Sequence, residues 1–542
     1  MSQLEQQSLY QVPSHNTEPI IQTAIINFHD RTVGVPDCLI PHDNLDQHFG
    51  IIKLHIRNEI HITKEIHIDY DVDTSASMSE PCKDGKTKMQ HIKFALENML
   101  QIFHRKTDAN ISVRIQSFNS EVSTNVETIE DIKSNNLDEI TAKMNTMSPN
   151  GCTNIEKTLI KTSEYLNKYI KDNSSKRVAH ILLTDGEITS GSTNSAYLKT
   201  LANTDYPNIF LGYGLQHDAN LLNSLSSASK YNDYRFVDNL EKAGLVYGEI
   251  IHQLLYTAIE DVTLKAENCE IYNYATNTWI TELHIGNLVS DQQKIYHVRS
   301  TSPREAQIAI FGRTIHQTRQ FEVLSHEIEF QTHALPIIMA TIPCDLTNYL
   351  FRQKTQEFLF KTREQLEKLN KDDPFDKYGD IFQDQPKKES AALKKQLTDF
   401  LKSMLEYIKA KKLKEDEFFK MLCDDIYIAI KSFDMKHGLM YAAARQTSQG
   451  RQQSYTPRFE ETTEEEPPPT TTLKKGYTLG HIPSSIKTKI NQTKNGLDLS
   501  PDLLSQYELS QNDITPYSSI GQTKLMRDVS YTQPLEDTSD KF

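Results

Sequence analysis

Residues 66–79 read Ile66-His67-Ile68-Asp69-Tyr70-Asp71-Val72-Asp73-Thr74-Ser75-Ala76-Ser77-Met78-Ser79. Apolar side chains at Ile66, Ile68, Tyr70 and Val72 alternate with His67, Asp69 and Asp71, the two-residue period of a strand. The strand runs directly into Asp73, Ser75 and Ser77, three short oxygen-bearing side chains at alternate positions where the chain must turn. Hard cations such as Mg²⁺ take ligands of this kind and keep positions open for water or a further carboxylate. The same residue types also cap helices, and a helical pattern follows, so D-x-S-x-S alone leaves both readings open.

The flanking chain decides between them. Residues 1–50 are polar, with apolar islands interrupted by Pro13, Pro19, Pro36 and Pro41, and predict a loose segment holding one or two strands. Residues 51–64 continue the alternation through Leu54, Ile56, Ile60 and Ile62. With residues 65–72 the run exceeds one ordinary strand, so two are expected. Downstream, Met89, Ile92, Leu96, Met99, Leu100 and Phe103 mark a helix, and residues 111–118 alternate as a strand with 121–126 as hairpin partner. A second helix over 137–147 leads to the turn cluster Ser148-Pro149-Asn150-Gly151-Cys152-Thr153 and a third helix from Ile155. Apolar runs at 178–184, ending in Thr184-Asp185-Gly186, and at 209–214 read as buried parallel strands, with a helix over 240–255 after them. Strands alternating with helices predict an α/β domain with a mostly parallel sheet.

Asp73-Thr74-Ser75-Ala76-Ser77, Gly151-Cys152-Thr153 and Thr184-Asp185-Gly186, in that order, resemble the metal-ion-dependent adhesion site (MIDAS) of von Willebrand factor A domains. The resemblance covers residues 65–256, and Gly212-Tyr213-Gly214 is similar to that family's fifth strand. It implies a doubly wound, Rossmann-like sheet with one antiparallel edge strand and a site at the carboxyl ends of the strands. It further implies that Asp73, Ser75, Ser77, Thr153 and Asp185 are metal-ligating side chains, some through water. The cofactor would be a divalent cation, Mg²⁺ first, with Mn²⁺ or Ca²⁺ as alternatives. Helix 240–255 corresponds to the one that moves in some family members. One departure stands out: the family's strand is usually apolar on both faces, whereas His67, Asp69 and Asp71 occupy one parity here. Either that face is open or the groups pair internally.

After residue 256 short strand-like runs without helices predict an antiparallel β-domain over 257–335, with strand 51–64 pairing to it. Leucine and phenylalanine stripes over 345–457 predict a bundle of three helices, with the basic stretch after Met435 as a surface cap. Residues 458–542, rich in Glu, Pro, Ser, Thr, Gln and Asn, predict a disordered tail. The whole layout is similar to uncharacterised A-domain proteins of large DNA viruses and protists.

Composition narrows the function. A net charge of −14 over 542 residues argues against broad nucleic-acid binding. The six cysteines form no C-x-x-C pair, and no stretch approaches the ~20 apolar residues of a membrane helix. Without an apolar leader at the N-terminus, a cytoplasmic location is expected. Gly85-Lys86-Thr87 lacks the earlier glycine of a phosphate loop, and His326-Glu327 lacks the second histidine of a zinc-protease helix. A hydrolase built on the cation would need a base, for which His217 and Asp218 are the nearest candidates. A metal-dependent protein-interaction module, taking an acidic group of a partner through the cation, asks for less. A scaffold with an empty site is the third reading.

Overall fold

The computed structural model describes residues 21–39, 46–56, 65–317, 323–330, 344–370, 384–453, 499–506 and 515–530, apart from 83, 107–108, 131, 133, 175, 215–216, 238–242 and 436. Strands β1 (Ile21–Phe28) and β2 (His48–Ile56) pair antiparallel, with Ile26 opposite Ile52. Then β3 (Glu65–Asp73) enters a different sheet, built with β4 (Asn110–Phe118), β5 (Val122–Ile129), β6 (Arg177–Thr184), β7 (Asn208–Tyr213) and β8 (Asp233–Val237). Its strand order is β5-β4-β3-β6-β7-β8, parallel throughout except for edge strand β5.

Helices cover both faces of this sheet. Against one lie α1 (Lys88–Arg105), α2 (Ser134–Asn145) and α6 (Ala243–Leu255), sharing a core with Ile66, Ile68, Tyr70 and Val72. Thr87 starts α1 with a capping box, its side chain accepting from the Gln90 amide while the Gln90 side chain accepts from the Thr87 amide. Against the other face lie α3 (Ile155–Asp172), α4 (Ser195–Leu201) and α5 (Ala219–Ser226), packing on Phe118, Leu182 and Phe210.

His67, Asp69 and Asp71 point to this second face and are fully buried there, so of the two readings internal pairing is the one observed. Arg114, next door on β4, reaches both Asp69 oxygens from Nη1 at 3.1 and 2.9 Å. Asp71 Oδ2 accepts from the Thr162 hydroxyl (2.6 Å) and faces His180 Nε2 (2.8 Å). His67 stacks on Tyr169 and meets the Ser112 hydroxyl at 3.0 Å. Buried polar groups need partners, and here α3, β4 and β6 supply them for every one of these side chains, although Asp71 Oδ1 itself accepts no hydrogen bond from the described residues.

From α6 the chain passes into β9 (Thr257–Glu267), β10 (Glu270–Asn273), β11 (Thr278–Ile280), β12 (Glu282–Val289), β13 (Gln293–Ser300), β14 (Gln307–Gln317) and β15 (Val323–Phe330). They form two sheets, β1-β2-β13-β10-β11 and β12-β9-β14-β15. Ile26, Ile52, Leu54 and Val298 of one share a core with Ile259, Leu264, Ile308 and Ile310 of the other. Strand β2 runs antiparallel beside β13, Ile52 facing Tyr296.

The helical region holds α7 (Thr347–Asn370), α8 (Asp384–Lys411), α9 (Glu417–Ser432) and α10 (Gly438–Arg451). The last departs from the expected surface cap. Arg445 is buried against Asp425 (3.1 Å), and the carbonyl-rich C-terminal end of α10 is capped from other elements. Arg352 donates to the Gln449 carbonyl (2.8 Å), and Lys294 donates to those of Arg451 and Gln452 (3.0 and 3.3 Å). Of the basic residues expected at the surface, Arg445 and Arg451 are therefore held by internal partners, Arg451 by Asp233 and the Tyr274 hydroxyl (3.1 Å), while the caps on α10 come from Lys294 and Arg352.

The expectation of a disordered tail also fails in two places. In α11 (Pro501–Leu504), Leu503 enters the core of the helical bundle. Helix α12 (Ile520–Ser530) lies across α6 and α1, burying Leu525, Met526 and Val529. Sparse apolar residues suffice because α6 presents Gly244 and Gly248. A Cβ on Gly248 would stand 2.4 Å from Met526 Cα, so only glycine lets the two backbones approach. Among the described residues no helix is long and apolar enough to cross a membrane.

Candidate metal centre

Asp73 is the last residue of β3, and Asp185 follows the last residue of β6, its parallel neighbour. Two side chains from adjacent strand ends are thereby placed together. After Asp73 the backbone is pinned on both sides: Thr74 N–H donates to the Phe118 carbonyl (2.7 Å), and Asn150 N–H donates to that of Thr74 (2.8 Å). A short 3₁₀ turn over Ala76–Ser79 then brings Ser77 back over the strand end. Ala76 N–H reaches the Gly151 carbonyl (3.2 Å), which draws the Thr153 loop alongside. Gly151 has φ +73°, a conformation that glycine adopts without strain.

The oxygens form a connected chain. Asp73 Oδ1 accepts from Ser75 N–H (2.7 Å), Ser75 Oγ and Ser77 Oγ lie 3.0 Å apart, and Ser77 Oγ donates to Asp185 Oδ1 (2.8 Å). Thr153 lies alongside, across Gly186 from Ser77. A Cβ on Gly186 would stand 3.6 Å from both Ser77 Oγ and Thr153 Oγ1, so Gly186 leaves open a small cradle between them. All five residues singled out from sequence, Asp73, Ser75, Ser77, Thr153 and Asp185, meet at the carboxyl edge of the sheet.

Charge at the site is unbalanced in a telling way. Asp73 is fully buried, and its other oxygen accepts only the Thr184 hydroxyl (2.6 Å). Burial pushes its carboxyl up to about 6, against the pull of Thr184 and Ser75 and with some help from Asp185. Among the described residues no basic side chain bonds it. Asp185, equally buried, has its Oδ2 2.7 Å from Lys88 Nζ, which also meets Glu80 Oε2 at 2.6 Å. Burial works against the Lys88 ammonium, but the two carboxylates outweigh it and hold it above its ordinary value.

Two carboxylates and three hydroxyls around a cradle suit a hard divalent ion. Among the described residues no three His, Cys, Asp or Glu side chains gather as a softer ion would want. Sequence reasoning missed Lys88, Glu80 and Thr184. Lys88 did carry a signal: it is the first residue of a helix, the end where the dipole disfavours a cation. The histidine and aspartate considered as bases have structural jobs instead. His217 sits between the Gly214 carbonyl (2.7 Å) and the Tyr234 hydroxyl (2.6 Å), and Asp218 caps α5. A cavity of about 620 Å³ lies at the opposite, amino end of β3 and β6, beside Ile66 and Val178. Its buried cations Lys294 and Arg352 cap the end of α10.

Residues 72–187 match the family model described as the von Willebrand factor type A domain. That stretch is a von Willebrand factor type A domain. Among solved structures, a von Willebrand factor type A protein from Catenulispora acidiphila aligns with TM-score 0.44 and 12% identity, over 73% of this chain and 91% of that one. The ArnB paralog VWA2 from Sulfolobus acidocaldarius aligns with TM-score 0.40 and 13% identity, over 80% and 98%. Proximal thread matrix protein 1 from the mussel byssus, described with a zinc-occupied MIDAS motif, aligns with TM-score 0.29 and 15% identity, over 37% and 47%. A search of curated protein sequences returned no match.

Proposed function

We propose that the A domain is a metal-dependent protein-interaction module. Asp73, Ser75, Ser77, Thr153 and Asp185 hold a divalent cation, Mg²⁺ first and Mn²⁺ or Ca²⁺ as alternatives. When bound, the cation offers an open coordination position to an acidic side chain of a protein partner. The observation that carries this reading is Asp73: a fully buried carboxylate that accepts from the Ser75 amide and the Thr184 hydroxyl, with no basic side chain bonded to it among the described residues. Such a group is costly in the interior unless a cation neutralises it. The chain's own part is to hold this carboxylate, orient the hydroxyls through the pinned Thr74 turn, and keep the site at an edge where a partner can reach it. The hydrolase reading loses its candidate base, because His217 and Asp218 are committed elsewhere.

Isothermal titration of the full chain with MgCl₂ and MnCl₂ tests the first step. Saturable binding that disappears in Asp73→Asn, with an unchanged far-UV circular dichroism spectrum, is the expected result. For the second step, capture of acidic partners from an extract should vanish with EDTA and return with Mg²⁺. Titration heats identical in wild type and Asp73→Asn would overturn the reading.

A further inference from the structure

Lys88 is fixed where a mobile surface lysine would not be. It opens α1 directly after the capping Thr87, so the helix start places its stem beside the site. Its side chain is 13% exposed, and its ammonium bridges Asp185 Oδ2 and Glu80 Oε2 at 2.7 and 2.6 Å. Burial and a helix N-terminus both disfavour a cation at this point. The position is tolerated because Asp185 offers a full negative charge with no exposed surface of its own. The other oxygen of that carboxylate takes the Ser77 hydroxyl, which continues to Ser75 and Asp73.

Lys88 thus acts on the carboxylate that the proposed function assigns to a divalent cation. We infer that Lys88 is a tethered counter-ion of Asp185, which competes with the divalent cation for the site and keeps the cradle in shape while that cation is away. This rests on the cation reading above and adds to it a residue that sets affinity. With Lys88 in place, one of the two aspartate charges is already neutralised, so a divalent ion meets a weaker attraction and a nearby like charge. Glu80 gives the ammonium somewhere to turn, which lets the exchange happen without stranding a buried charge. The loaded site then keeps an extra positive charge at its rim, suited to an acidic partner.

Titration of the full chain with MgCl₂ separates the possibilities when wild type, Lys88→Met, Lys88→Gln, Lys88→Arg and Asp73→Asn are compared. The neutral variants are expected to bind at least about tenfold tighter, with Lys88→Arg close to wild type; tenfold corresponds to about 1.4 kcal/mol. Saturating Mg²⁺ should also raise the melting temperature more in Lys88→Met than in wild type, because that variant lacks its internal counter-ion. Equal or weaker affinity in both neutral variants, with binding still lost in Asp73→Asn, would overturn the role of Lys88 and leave the cation reading standing. Absence of binding in every variant would overturn both. Two neutral variants are used so that one failing to fold leaves the other to decide.

Discussion

Replacing Arg114 by methionine is a direct probe of the polar layer beneath the candidate site. Arg114 donates from Nη1 to both oxygens of Asp69, and from Nη2 to Gln116 Oε1 (2.8 Å) and Thr124 Oγ1 (3.1 Å). Asp69 is fully buried, and burial together with the neighbouring Asp71 already pushes its carboxyl up to about 7. Taking away the guanidinium leaves that carboxylate without its cation, a loss worth about 3–5 kcal/mol. With a urea slope of about 2–3 kcal/mol/M, the unfolding midpoint of the A domain falls by about 1–2.5 M. The one tryptophan, Trp279, sits on β11 outside the A domain, so its fluorescence is the wrong reporter. Hydrogen exchange at the amides of β3 and β4, read across a urea series, follows the right region. The double variant Asp69→Leu with Arg114→Met removes both charges and should recover most of the loss, since apolar replacement of a buried pair is often neutral. A single variant within about 1 kcal/mol of wild type, or a double variant no better than the single, would refute the argument.

Two further outcomes follow from the tail helix. Gly248→Val puts a side chain where Met526 Cα already stands, so exchange protection over residues 520–530 should fall while that of β3 and β6 stays; protection surviving in the tail would contradict the close-packing account. His252 of α6 also lies in this interface, where burial is the main cause of its lowered pKa, about 4. A group held neutral in the fold but protonated when unfolded contributes stability above pH 6.5 that is lost as pH falls toward 4, here about 3 kcal/mol at most. Asp69, raised to about 7, works the other way over the same range, so the difference between wild type and His252→Gln is the quantity to measure. Parallel stability curves for the two proteins would count against it.

Much of the A domain was legible because its strands and helices each obey their own period, and because Asp73, Thr153 and Asp185 fall at strand ends and a turn whose spacing matches a familiar arrangement. The polar parity of β3 was visible, but its resolution was not. It depends on Arg114, Thr162 and His180, which lie 45, 91 and 109 residues from their aspartates. No local pattern joins such residues; the pairing of β3 with β4 and β6 brings in Arg114 and His180, and the stacking of α3 on the sheet brings in Thr162. Lys88 is silent in sequence, since the period of the helix it opens reports which face is apolar and says nothing of where a first-turn ammonium reaches. The basic residues of α10 look solvated in sequence because their acidic partners, Asp425 for Arg445 and Asp233 for Arg451, lie on other elements far along the chain. The tail helix was lost for a related reason. Three apolar residues cannot order a segment alone, and the groove that receives them is signalled on α6 only by what Gly244 and Gly248 lack.

That groove makes the C-terminal helix a ligand that the chain carries for itself. Leu503 anchors the preceding segment in the helical bundle, and only residues 507–514 separate the described part of that anchor from the next described segment. For any short tether, docking within one chain acts at a local concentration on the order of mM. A free peptide of the same sequence added at micromolar levels would therefore find the groove taken, whereas cutting the tether would turn docking into an ordinary bimolecular equilibrium that dilution can undo.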